Sequence, residues 1–150
     1  MKLFIDSANP TQIQEMWDLG IIDGVTTNPS LAASAGVDYK TAVEVILKTV
    51  DGDISLEVLS TEAHEMVVEA RKLAAMHHNI VVKLPATLDG LKALRTLSAE
   101  SIRINMTLVF SANQALLAAK AGAYIVSPFV GRLEDAGEDA INIIHEIRQI

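Results

Sequence analysis

The chain is 150 residues long, half of them apolar, with no cysteine and a formal net charge of −7. An acid excess of that size leaves no basic face to displace phosphate counterions, so neither nucleic acid nor an anionic membrane surface is an expected partner. Without cysteine there is no disulfide, thiolate chemistry or Cys-ligated zinc, and a reducing cytoplasm is the expected compartment. The length predicts one domain with a sizeable core, and only 4% aromatic residues mean that aliphatics and alanine must fill it. Leu3-Phe4-Ile5 meets Asp6 too early for a signal peptide, and no apolar run approaches the ~18 residues of a membrane span.

In chain order, residues 2–6 read as a first strand. Asn9-Pro10 opens a helix carrying Ile13, Met16 and Trp17 as far as Gly20. A second strand is expected over 21–26. Thr27-Asn28-Pro29-Ser30 follows as a turn, because proline denies its predecessor the helical region. Val43, Ile46, Leu47 and Val50 mark the next helix, and 54–59 the third strand. Ser60-Thr61-Glu62 then caps a helix on Met66, Val67, Ala70 and Leu73. The fourth strand, 80–84, is almost wholly apolar and β-branched, and a leucine-striped helix from Leu88 to Leu97 comes after it. A fifth strand over 102–107, an Ala/Leu-rich helix over 111–120, a sixth strand over 124–127 and a helix on Ile141, Ile144 and Ile147 complete the pattern.

Six β-then-α units with continuous apolar strands predict a parallel sheet buried on both faces. Asp6-Ser7-Ala8-Asn9 holds no glycine, so the first turn lacks a dinucleotide fingerprint. Polar residues recur at strand ends instead, and in a barrel those ends face one mouth. The expected fold is therefore an α/β protein of the (β/α)8 TIM-barrel type, present as six units of a single partial domain spanning 1–150. Two open sheet edges favour self-association, so a homo-oligomer is expected.

Lys83, near the end of the most apolar strand, is the leading candidate for chemistry. Burial disfavours the ammonium form and leaves the free amine that carbonyl addition needs. A lysine that buries its stem and extends its amine to water would look the same in sequence. Asp6 and Glu57 also end strands, where they can divide proton transfers around an amine, or one of them can simply neutralise it. Thr26, Asn28, Asn105, Thr107 and Ser127 suit a polyhydroxylated ligand, each being equally able to cap a loop. Arg132 lies just past the sixth strand, where barrels often hold phosphate, and can equally be a surface arginine. The histidines, of which His77 and His78 do not share a helical face, give no expected metal site.

Read together, Phe4-Ile5-Asp6-Ser7-Ala8, Gly24-Val25-Thr26-Thr27-Asn28-Pro29-Ser30, Ser55-Leu56-Glu57-Val58, Val82-Lys83-Leu84-Pro85, Asn105-Met106-Thr107-Leu108 and Ser127-Pro128-Phe129-Val130-Gly131-Arg132 resemble the transaldolase family. The likeness is strongest to its small, single-barrel branch, which includes the fructose 6-phosphate aldolases. It implies a cofactor-free aldol mechanism on sugar phosphates, with Lys83 forming a Schiff base and Asp6 moving the C4-hydroxyl proton. It further implies that Glu57 and Thr107 handle water, that Asn28, Asn105 and Ser127 hold hydroxyls, and that Arg132 holds phosphate. The aldolase subgroup carries Gln at the position of Glu57 and Tyr at that of Phe129, so the resemblance points to transfer rather than free aldol cleavage. It also implies two further βα units, whose seventh strand brings a Ser and an Arg to the phosphate. Two other readings share these residues: an aldolase releasing dihydroxyacetone, and a silent fragment that only binds sugar phosphates.

Overall fold

The computed structural model describes residues 2–150. In chain order its elements are β1 (Phe4–Asp6), α1 (Pro10–Asp18), β2 (Gly24–Thr26), α2 (Pro29–Ser34), α3 (Tyr39–Thr49), β3 (Asp53–Glu57), α4 (Ala63–Ala74), β4 (Ile80–Pro85) and α5 (Leu88–Ala99). β5 (Ile104–Val109), α6 (Ala112–Ala121), β6 (Ile125–Pro128), α7 (Val130–Asp135) and α8 (Ala140–Gln149) follow. The strands lie in the order β1-β2-β3-β4-β5-β6. The pairs β1–β2, β2–β3, β4–β5 and β5–β6 are parallel. A doubly wound sheet reverses its strand order at a switch point. This order never reverses. The fold is thus an incomplete TIM-barrel-like α/β fold of six βα units.

Helix starts are written in side chains that satisfy the first free backbone N–H groups. Asn9 accepts from the Thr11 and Gln12 amides, Thr87 from Gly90, Ser111 from Gln114 and Asp139 from Asn142. α6 stops at Gly122, whose φ of +103° is left-handed and favours glycine.

Two compact units make up the chain. One takes in the residues as far as Glu57 together with Leu73–Val81, the other Val58–Lys72 with Val82–Ile150. In the first, Ile13 of α1 and Ile46 of α3 are fully buried, as are Val25 and Ile54 of the strands. Phe4, Val25 and Ser55 are placed by a register that pairs Phe4 with Gly24 and Thr26 with Ser55. Gly24 is required there: a Cβ would run into the Asp53 carbonyl oxygen and the Phe4 ring. In the second unit Leu84, Leu94, Leu97, Ile104, Met106 and Val109 form a fully buried aliphatic layer.

Several elements differ from the sequence-based expectation. β2 begins at Gly24 rather than at residue 21, because Gly20 turns with a φ of +67° and Ile21 is left exposed. Pro29 does not close a turn; it is the first residue of α2, where its missing N–H costs nothing. β5 is displaced two residues C-terminally of its expected 102–107 and runs to Val109, and α7 is an additional short helix. No helix among the described residues is long and apolar enough to cross a membrane.

Candidate active site

Within the first unit, register decides which strand-end groups share a face. Asp6 pairs with Thr26, and Thr26 with Ser55. Glu57, two residues beyond Ser55, returns to that same face by the period of two. The Thr26 hydroxyl donates to Asp6 Oδ1 at 2.6 Å, which fixes the carboxylate while leaving its other oxygen open to an accepting role. Asp6 is exposed at the end of β1, whereas Thr26 and Glu57 are half-buried. Asn28 follows β2 by two residues. It is the N-cap of α2, where its carbonyl oxygen accepts from the Leu31 amide at 2.9 Å. What Asn28 can offer a ligand is therefore its NH2 group, a donor only.

The second unit holds the amine. Lys83 is only 6% exposed and lies between Val82 and Leu84, both fully buried. It is the fourth residue of the six in β4 rather than the last. Lys83 pairs with Asn105 and Pro85 with Thr107, so Lys83, Asn105 and Thr107 occupy one face of the sheet. Ser127 joins them from β6, its hydroxyl donating to Asn105 Oδ1 at 2.7 Å. Thr107 is 1% exposed, and its Oγ1 has no hydrogen-bond partner among the described residues. A buried hydroxyl left in that state costs free energy unless something that binds there uses it.

Arg132 lies in α7, exposed, and is the single charged residue lining a cavity of about 480 Å³ whose other walls are Leu108, Phe110 and Phe129. Phe110 and Phe129 meet edge to face, with centroids 5.9 Å apart. In sequence Leu108 stands out only as part of the Asn105-Met106-Thr107-Leu108 segment, and Phe110 not at all. Leu108 owes its position to a β-bulge between Met106 and Val109, and it is one of two non-glycine residues with positive φ, at +56°, among the described residues. Nothing in a leucine codon marks such a backbone, whereas the F-S-x-x-Q run after it reflects an anchor: Gln114 accepts the Phe110 amide at 2.7 Å.

Chemically, one unit thus presents a carboxylate buttressed by a hydroxyl, with a second carboxylate on the same face. The other presents a buried amine beside an amide that accepts from the Ser127 hydroxyl, and a second, buried hydroxyl, that of Thr107, without a hydrogen-bond partner among the described residues. An amine of this kind adds to carbonyls, and its neighbours are the neutral donors and acceptors that polyols require.

Comparison with known proteins places the chain in a family. The family model described as Transaldolase/Fructose-6-phosphate aldolase matches residues 3–150. A "Probable transaldolase" from Caldicellulosiruptor saccharolyticus is 59% identical over the full chain, which covers 69% of that protein. One from Clostridium kluyveri is 59% identical over 98% of the chain and 68% of its own length. Another from Methanococcus maripaludis is 53% identical over the full chain and 70% of its own length. With the match running through every segment that carries the candidate site, the chain belongs to the transaldolase/fructose-6-phosphate aldolase family.

Proposed function

We propose that the protein is a transaldolase that moves a dihydroxyacetone unit from a ketose phosphate to an aldose phosphate. The observation that carries this reading is Lys83: an amine 6% exposed, in register with Asn105, in a chain of this family. The Lys83 amine adds to the ketose C2 carbonyl, and protonation of the resulting C2 hydroxyl with loss of water gives an iminium. Asp6 accepts the proton of the C4 hydroxyl. The C3–C4 bond then breaks, with its electron pair drawn into the iminium to give an enamine, and the shortened aldose phosphate leaves. The enamine carbon then attacks the aldehyde carbon of a second aldose phosphate; the new C–C bond forms as the C=O opens, its oxygen takes back the proton held by Asp6, and water hydrolyses the resulting iminium to free Lys83. Glu57 and Thr107 position and activate the water used in forming and breaking the Schiff base. Asn105 and Ser127 hold hydroxyls of the three-carbon fragment, Asn28 donates to another, and Arg132 takes the phosphate. The iminium is the electron sink, so the scheme uses no cofactor. Sedoheptulose 7-phosphate and fructose 6-phosphate are the proposed donors, in the cytoplasmic pentose phosphate pathway, with a homo-oligomer as the proposed working form.

Borohydride added during incubation with a ketose phosphate is expected to fix a three-carbon adduct on Lys83, found by mass spectrometry of the digested protein. A folded protein that yields no adduct overturns the reading. The family also contains aldolases that release dihydroxyacetone. Glu57 and Phe129 favour transfer over that alternative, and dihydroxyacetone formed without any acceptor would reverse the preference.

A further inference from the structure

Along β5 the period of two buries Ile104 and Met106 on one face and Asn105 and Thr107 on the other. Carried one step further, it would bury Leu108 beside Met106. Val109 takes that place instead at 0% exposure, and Leu108 is turned outward at 36%. The cause is the bulge: Thr107 and Leu108 together face the single residue Ser127, between the pairs Met106–Val126 and Val109–Pro128. It is completed by a left-handed backbone at Leu108, which costs a residue with a Cβ about 1 kcal/mol and would cost glycine nothing.

A bulky side chain kept at such a position points to a task for it. Leu108 stands with Phe110 and Phe129 around Arg132, the two rings meet edge to face, and the backbone of each phenylalanine is tied down. The Phe110 amide donates to Gln114 Oε1 at 2.7 Å, and the Phe129 amide to the Val109 carbonyl at 3.0 Å. We infer that Leu108 is a specificity-determining residue, the third apolar wall of a sleeve that keeps water from an anion held by Arg132. The inference rests on the transaldolase reading and adds to it the source of a preference for phosphorylated over unphosphorylated sugars. Attraction between a guanidinium and a phosphate strengthens as water is excluded, so removing the wall weakens the phosphorylated substrate selectively.

Leu108→Gly and Leu108→Asn both accept a left-handed backbone and so keep the bulge. For each, kcat/KM is measured with an aldose phosphate acceptor and with the same aldose lacking phosphate. The ratio of the two is expected to fall by about tenfold, mainly through KM for the phosphorylated acceptor. The melting temperature should stay at or above that of the parent. Calorimetric titration with inorganic phosphate, which needs no turnover, should show the same loss of affinity. An unchanged ratio, a parent protein that binds no phosphate, or a fall that appears only with a lowered melting temperature overturns the inference. If Lys83 gives no borohydride adduct, the transaldolase reading fails by itself, and the phosphate titration still decides the role of Leu108.

Discussion

Thr107→Val separates stability from turnover. The two side chains have nearly the same shape, so the substitution removes one hydroxyl and little else. That hydroxyl is buried and has no hydrogen-bond partner among the described residues. Its desolvation is therefore uncompensated in the unliganded protein, a cost of about 1–2 kcal/mol. A chain of this size unfolds with an entropy of about 0.3 kcal/mol/K, so relieving that cost should raise the melting temperature by about 3–6 °C. The same hydroxyl is assigned to water handling at the Schiff base, and its loss should lower kcat by about a hundredfold, the scale of one positioned catalytic group. Differential scanning calorimetry and a coupled transfer assay on the same preparations measure both. A valine variant that melts lower than the parent refutes the stability argument. One that melts higher with undiminished kcat refutes the catalytic assignment.

Gly24→Ala drives a methyl group into the Asp53 carbonyl oxygen and the Phe4 ring, and should cost about 3 kcal/mol in urea unfolding; a cost under 1 kcal/mol would contradict the close approach of β1, β2 and β3. Asn28→Ala removes the cap of α2 and should cost about 1 kcal/mol, whereas Asn28→Asp keeps the acceptor and restores stability but not a donated hydrogen bond to substrate. The Arg71 guanidinium, bonded to Glu100 at 2.6 and 2.9 Å, holds that carboxyl below its ordinary value of 4.5. A depressed carboxylate contributes stability that is full above the unfolded value and is lost as pH falls through the folded one. The urea midpoint of Glu100→Gln should therefore change less with pH below about 4.5 than that of the parent, and parallel curves would disprove it.

The six strands were legible because each is an apolar run between polar breaks, as in Ile80-Val81-Val82-Lys83-Leu84-Pro85. The long helices were legible from periodicity and caps. α2 and α7 were not, since six residues are fewer than two turns and show no period; yet Asn28-Pro29 is a helix-start pair as much as a turn signal. The polar strand ends were readable as a set, and register now shows Lys83, Asn105 and Thr107 on one face. Asn28 follows β2 by two residues and caps α2, the loop-capping role that sequence left open beside ligand binding. The outward turn of Leu108 was out of reach altogether, because a bulge is a property of two strands in register and not of either alone.

The unbroken strand order has a kinetic corollary. Register joins Phe4 to Gly24, Gly24 to Asp53, Val82 to Ile104 and Asn105 to Ile125, partners about twenty to thirty residues apart, so each new strand closes a short loop onto the one made just before it. Loop-closure entropy stays small at every step, and parallel sheets, usually slow to form, can here assemble by sequential zippering. A ribosome delivering the chain from its N-terminus supplies the strands in that same sequence, and the growing edge need never wait for a distant partner.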